Sequence, residues 1–315
     1  MSTVPTLKLK QQNCCICNSK QGEIIGGGPD FEYSTCANEF SVRRCVCGHV
    51  YLVDVPDQGD LNIVYPTNYM QYSIDEGEKL AWKAKKVLDV MMVRSLKKYL
   101  TQGTNVLDVG CAQGRLLDAI KSSYSKIGAL EGVEISEKAA DTCRKKGYTV
   151  TVGTFESIEP KSNFYNVVFL DQVIEHLYSP RTAIKKINKA LQLGGAIVLK
   201  TPTSDCIDFK FFKKRYWGGY HFPRHFNIFS RKSLSVLLVE AGFEVSSVKY
   251  LPQPAHWSQC FEFWLKERHM PRFLSAFFYK ENPLSLAVFT VVEMLSKLLF
   301  GKTSNMEIIA VKIKD

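Results

Sequence analysis

Residues Asn105 to Leu117, reading NVLDVGCAQGRLL, constrain the fold more than any other part of this chain. A short apolar run carries Asp108, turns through Gly110 and Gly114, and enters an amphipathic stretch. Glycine lacks a Cβ, so both positions accept a sharp turn and the close approach of a ligand. The first N–H groups of the helix that follows have no partner within it and face a polar ligand. About 20 residues on, Val133-Glu134-Ile135 sets a carboxylate at the end of a second strand, where a ribose diol is gripped. These residues spell a nucleoside-binding β–α–β unit. A dinucleotide site would need glycine at 110, 112 and 115; Ala112 and Arg115 argue against a nicotinamide or flavin enzyme.

The Asp-x-Gly-x-x-x-Gly pattern resembles the first motif of class I S-adenosylmethionine-dependent methyltransferases. Further matches follow in order: Phe164 to Leu177 resembles that family's fourth strand and its loop, and Leu193 to Leu199 its turn and fifth strand. The resemblance covers roughly residues 75–250. It implies an α/β fold: a doubly wound, seven-stranded, mostly parallel sheet whose last two strands form an antiparallel edge hairpin. Alternating segments at 105–110, 113–123, 129–135, 137–146, 148–153, 164–170, 180–192, 195–201, 230–241 and 243–251 agree with a parallel sheet covered on both faces. Asn305 to Lys312 reads as the final strand. The resemblance also implies the cofactor S-adenosylmethionine. Asp108, Gly110, Cys111 and Gly114 would meet its amino-acid part, Glu134 and Ile135 its ribose, Phe155 and Glu156 its adenine, and Asp171 and Gln172 would line the pocket.

Six of the ten cysteines precede residue 48 and mark a small module over 1–56. Cys14-x-x-Cys17 and Cys45-x-Cys47, about 30 residues apart, resemble a zinc ribbon whose four thiolates form a closed structural site. The second pair is one residue shorter than the usual knuckle, so Cys15, Cys36 or His49 is an alternative ligand; the other reading is a set of free buried thiols. Residues 57–104 read as a linker and helical lid. Within them, Leu80, Val87, Leu88, Met91, Met92, Leu96 and Leu100 fall on or near one helical stripe between Asp75 and Tyr99. The methyltransferase core is then 105–251 plus 305–315.

Residues 252–304 intervene where the family has a short connection. Their aromatics (Trp257, Phe261, Phe263, Trp264, Phe273, Phe277, Phe278, Tyr279) are too many for a solvated loop. A helical cap that adds a wall to the substrate pocket is the favoured reading; self-association is the alternative and contact with a membrane surface the third. Leu284 to Phe300 is apolar, but Glu293 and Lys297 interrupt it and it is short for a span.

Three of the six histidines fall at pocket positions. His176 follows the fourth strand in a Glu-His pair; His221 and His225 lie in the loop Trp217 to Phe226, after the fifth strand, with Tyr220 between. Ligands bind at that end of open α/β sheets. His225, His221, His176 and Tyr220 are therefore the catalytic candidates, with His225 favoured as base because Arg224 beside it could hold an anionic substrate.

The N-terminal cysteine module and the Pro223-Arg-His-Phe-Asn227 loop are similar to those of bacterial methyltransferases acting on sugars in polysaccharide or natural-product pathways, some of which act on nucleotide-linked sugars. The rival acceptor is RNA, favoured by the +10 net charge and the basic run from Lys185 to Lys232. Against it, Asp171 to Ile174 lacks the Pro-Pro-aromatic signature for base amino groups. A non-catalytic scaffold is the third reading. No secretory leader is visible, so the expected setting is the reducing cytoplasm.

Overall fold

The computed structural model describes residues 4–66 and 80–315. Near the N-terminus lie β1 (Leu9–Gln11), β2 (Gly22–Gly28), β3 (Phe40–Cys45), β4 (Val50–Leu52), β5 (Asp54–Pro56) and the short α1 (Leu61–Val64). Next come α2 (Leu80–Ser95), β6 (Val106–Val109), α3 (Arg115–Ser123), β7 (Leu130–Glu134), α4 (Glu137–Lys145) and β8 (Thr149–Val152). They are followed by β9 (Tyr165–Asp171), α5 (Pro180–Ala190), β10 (Leu191–Pro202), α6 (Ile207–Phe212), β11 (Asn227–Ile228), α7 (Arg231–Glu240) and β12 (Phe243–Leu251). The insertion contributes α8 (Pro254–Glu267), α9 (Arg272–Phe277) and α10 (Pro283–Phe300) before β13 (Asn305–Lys312).

The main sheet has seven strands in the order β12-β13-β10-β9-β6-β7-β8. Pairings among β10, β9, β6, β7 and β8 are parallel, while β13 runs antiparallel to both β10 and β12. Central strands read as continuous apolar runs because both of their faces are covered. On one face, Leu107, Val168, Ile197 and Ile308 pack with Ile184 and Ile187 of α5 and Leu234 and Leu237 of α7. On the other, Val106, Val167, Val198 and Ile309 meet Val93 of α2 and Leu116 and Ile120 of α3.

Two expectations shift. Helix α2 buries Asp89 and Val93, with Leu96 buried just beyond its end, while Val87, Leu88 and Met91 face outward, so the stripe is rotated from the one the apolar residues suggest. The cause is electrostatic: Asp89 pairs with Arg115 and turns its own face inward. The part of the expected helix over 75–79 lies outside the described residues. The N-terminal module, expected to close at 56, is completed from far along the chain. Its four-stranded sheet runs β11-β4-β3-β2, with Asn227 opposite Tyr51 and Ile228 opposite Val50. Arg181 of α5 further anchors it by donating to the Cys15 and Ile16 carbonyls.

Candidate active site and cysteine cluster

Strand β6 delivers Asp108, and the backbone then turns with positive φ at Gly110 (75°), Ala112 (46°) and Gly114 (84°) before α3 begins. A Cβ on Gly110 would stand 2.6 Å from Val173 Cγ2, and one on Gly114 would stand 2.7 Å from Cys143 Sγ. Both glycines are thus required by the protein's own packing as well as by the turn. Cys111 is buried, and its thiol is directed towards the Ala112 carbonyl at 3.8 Å.

At the end of β7, Glu134 accepts hydrogen bonds from Ala112 N (2.9 Å) and Ser136 N (2.8 Å). Its carboxylate is therefore fixed against the glycine turn, with Ile135 exposed beside it. Burial raises the Asp108 carboxyl well above its usual range, and the neighbouring Asp171 carboxylate and Cys143 push it further, with Glu134 adding to them. Asp108, Glu134 and Asp171 so placed offer carboxyl oxygens to the ammonium and hydroxyl groups of a ligand. Asp171 has cationic neighbours of its own in Lys200 (3.5 Å) and Arg115 (3.9 Å). Gln172 follows with φ 58°, an uncommon conformation for a non-glycine residue, and donates to Asn305 at 3.3 Å.

Of the expected adenine pair, Phe155 is buried in the core and Glu156 accepts from Tyr178 N at 2.9 Å. Burial leaves little of the Phe155 ring available for stacking.

Val173, the residue packed on Gly110, opens the turn that carries Glu175 and His176. The three candidate histidines meet there. Ring centroids of His176 and His225 lie 4.7 Å apart, His221 and His225 4.9 Å, and His176 and His221 6.4 Å. His225 Nδ1 donates to the Gly219 carbonyl at 2.8 Å, which leaves Nε2 with its lone pair, 4.0 Å from Glu175 Oε1. Burial, with His176 and His221 nearby, holds His225 well below the usual histidine range. Burial and His221 likewise lower His176 to about 3. Glu175 is buried with neither carboxylate oxygen in a hydrogen bond among the described residues, and burial raises it to about 8.

Residues that the motif reading left out complete the cluster. The Tyr65 hydroxyl and the Arg224 carbonyl both lie 3.1 Å from His176 Nδ1. Glu32, from the N-terminal module, bonds His221 Nδ1 at 2.5 Å and pairs with Lys280 of the insertion. Neither Tyr65 nor Glu32 sits in a recognisable sequence motif, because each reaches the cluster only through the tertiary fold.

Two proposed roles are corrected. Arg224 is fully buried and makes a bidentate pair with Asp30, at 3.2 and 3.1 Å, so its guanidinium is not available to a substrate. Burial disfavours ionised Asp30, but the guanidinium outweighs it and holds the carboxyl below the usual range. Tyr220 is also buried: its hydroxyl donates to the Lys213 carbonyl at 2.5 Å and its ring packs against Trp217 and Phe222. It supports the loop.

Away from this cluster, Cys14, Cys17, Cys45 and Cys47 bring their four sulfurs within 4.8 Å of one another, with Cys14–Cys47 at 3.5 Å and Cys17–Cys45 at 3.3 Å. Sulfurs bound to one tetrahedral zinc stand about 3.8 Å apart, so the set fits that ion. The alternatives are placed elsewhere: Cys15 lies against His49 Nε2, and Cys36 is buried in another apolar cluster.

Residues 81–248, more than half the chain, match the methyltransferase domain family. The chain belongs to that family. It is an S-adenosylmethionine-dependent methyltransferase. An uncharacterized protein of Methanocaldococcus jannaschii is 25% identical over 152 residues, 48% of this chain and 70% of that one. The ubiquinone biosynthesis O-methyltransferase of Idiomarina loihiensis is 30% identical over 105 residues, 31% of this chain; the methyltransferase spans only 42% of that relative. In fold it is similar to the crystal structure of magnesium protoporphyrin IX methyltransferase from Synechocystis with bound SAH, at TM-score 0.51 and 14% identity over 81% of this chain and 100% of that one.

Proposed function

We propose that the methyltransferase transfers the methyl group to a hydroxyl-bearing small molecule, a sugar or nucleotide-linked sugar, with His225 as general base. The observation that carries this reading is the cluster of His176, His221 and His225, of which His176 lies on the turn opened by Val173, the neighbour of Gly110. S-adenosylmethionine supplies an electrophilic methyl group when bound; Glu134, Ile135, Asp108 and the 110–114 turn would hold it. An acceptor hydroxyl must lose its proton as it attacks, and His225 Nε2 is the lone pair fixed in tautomer by the Gly219 carbonyl. Glu175 lies 4.0 Å from that nitrogen, and in its ionised form would stabilise the imidazolium that results. The proton thus passes from the acceptor to His225 and then leaves to solvent. His176 and His221 orient the acceptor, positioned by Tyr65 and Glu32 respectively.

RNA is the weaker reading because four of the eleven Lys and Arg in the basic run are held by contacts within the protein. Lys186 donates to the Glu156 and Ile158 carbonyls, Lys200 faces Asp171, Arg215 pairs with Glu267, and Arg224 is buried on Asp30. We also propose one zinc ion at Cys14, Cys17, Cys45 and Cys47. Its role is structural, since four thiolates leave no open position. Incubation with labelled S-adenosylmethionine against panels of sugars, sugar nucleotides and transcribed RNA tests the acceptor. Label on a sugar supports the reading; label on RNA alone overturns it.

A further inference from the structure

Helix α10 is built with its polarity inverted. It buries Ser285, Phe289, Glu293 and Ser296, and three of these four are polar. Each has a partner: Ser285 Oγ meets Ser258 Oγ at 2.7 Å, Glu293 accepts from Trp257 Nε1 at 2.8 Å and Ser304 N at 3.1 Å, and Ser296 donates to the Lys302 carbonyl at 2.9 Å. The outer face is apolar. Leu298 is 80% exposed, and Leu284, Val291, Met294, Leu295 and Leu299 are each more than half exposed. Over its 18 residues the mean hydropathy is 1.6, yet only 22% of them are buried. A helix at the surface of a water-soluble protein has the opposite arrangement, with apolar residues inward. An exposed apolar stripe about 27 Å long marks a surface made for an apolar phase.

The charge around it indicates which phase. The acids of the insertion are largely engaged internally: Glu262 pairs with Lys266, Glu267 with Arg215, and Glu293 is buried, leaving Glu281 to solvent. Arg268, Arg272 and Lys297 are exposed, and Arg272 lines a cleft of about 830 Å³ between α8 and α9 together with His269, Met270, Tyr279 and the paired Glu262 and Lys266. Phe273, beside Arg272, is 73% exposed. A second copy of this chain would bring the same +10 charge to the contact and repel it, whereas an anionic bilayer attracts it.

We infer that the insertion seats the methyltransferase on anionic lipid bilayers, with α10 lying in the interface and the cations of the α8–α9 cleft meeting lipid phosphates. The helix lies in the plane and does not cross it, because Ser285, Glu293 and Ser296 tie its whole length to the protein. This inference stands apart from the identity of the acceptor.

Co-sedimentation of the full chain with vesicles tests it, using phosphatidylcholine alone and phosphatidylcholine mixed with phosphatidylglycerol. The protein should pellet with the mixed vesicles, less so at high salt, and stay largely in solution with phosphatidylcholine. Leu295→Glu and Leu298→Glu change exposed positions and should each weaken binding about tenfold or more while cofactor affinity stays unchanged. Arg272→Ala should weaken binding to the mixed vesicles alone. Wild-type protein left in the supernatant with phosphatidylglycerol vesicles overturns the inference, as does unaltered pelleting of both leucine variants. A dimer in solution that Leu298→Glu dissociates, with no vesicle binding, overturns it in favour of a second copy.

Discussion

Glu134 illustrates how one side chain joins fold and chemistry. Its two oxygens hold the Ala112 and Ser136 amides, so it shapes the glycine turn, and in the proposed cofactor site it would also meet the ribose. Glu134→Ala should weaken S-adenosylmethionine binding by roughly 1.5–3 kcal/mol, the cost of losing a charge-assisted hydrogen bond, as read by calorimetry. Glu134→Gln should lose less, since the amide oxygen still accepts from one backbone N–H. His225→Ala should lower turnover 10²–10⁴-fold with cofactor affinity nearly unchanged, the range typical of a lost general base. Normal turnover by that variant would favour catalysis by positioning alone. The same cluster sets a dependence of stability on pH. His176, at about 3, and His256, which burial lowers to about 4, are neutral in the folded chain but charge near 6.5 when unfolded. The unfolded state therefore binds more protons as pH falls below 6.5, and stability drops towards the folded values. Glu175 acts in the opposite sense. With its folded value near 8 and its ordinary value near 4.5, its burial costs more as pH rises through that window. Glu175→Gln should flatten the alkaline side of a denaturation profile measured between pH 5 and 8; an unchanged slope there would show that Glu175 is ionised throughout.

At the level of elements, periodicity and motif spacing served well wherever local sequence decides structure. All ten expected core segments correspond to observed helices or strands, because strands buried on both faces and amphipathic helices leave clear patterns. Failures came where a distant charge or a long-range pairing decides. Asp89 rotates α2 through its bond to Arg115, and β11 joins the N-terminal sheet across more than 170 positions of chain. That pairing changes what the cysteine module does. Its β2–β3 connection carries Asp30 under Arg224 and Glu32 against His221, so the module supports the loop that holds two of the three histidines. Protein purified without chelator should therefore contain about one zinc per chain. Cys17→Ser should lose the metal by elemental analysis and lose turnover as well, although no cysteine touches the histidines. A variant lacking the metal but folded and active would show that the thiols alone hold the module.

For the whole molecule, the sequence makes the proposed cofactor site legible because most of its residues sit on one contiguous β–α–β unit, from Asp108 to Glu134. The proposed acceptor site is dispersed. It draws Glu32 and Asp30 from the N-terminal module, Tyr65 from the segment after α1, Glu175 and His176 from the β9 turn, His221 and His225 from the later loop, and Lys280 from the insertion. Only the histidines announce themselves by type and position; the acids and the tyrosine are selected by packing. The insertion enters this assembly in two ways. Helix α8 lies beneath the loop, where a Cβ on Gly218 would stand 2.5 Å from the His256 carbonyl, and Gly218 N bonds Cys260 Sγ at 3.2 Å. Lys280 then pairs with Glu32, which holds His221. Removing 252–304 should accordingly disable the acceptor site while sparing the cofactor site, whose residues all lie outside the insertion. Leu251 and Asn305 are register partners in the β12–β13 pair, so a two-residue Asn-Gly turn can close the deletion. The shortened chain should bind S-adenosylmethionine with wild-type affinity and methylate no acceptor. Lys280→Ala, which leaves every helix in place, should raise KM for the acceptor more than it lowers kcat, because it loosens His221 without removing the base. Full acceptor turnover by both variants would confine the insertion to its surface role and leave Glu32 alone to fix the loop.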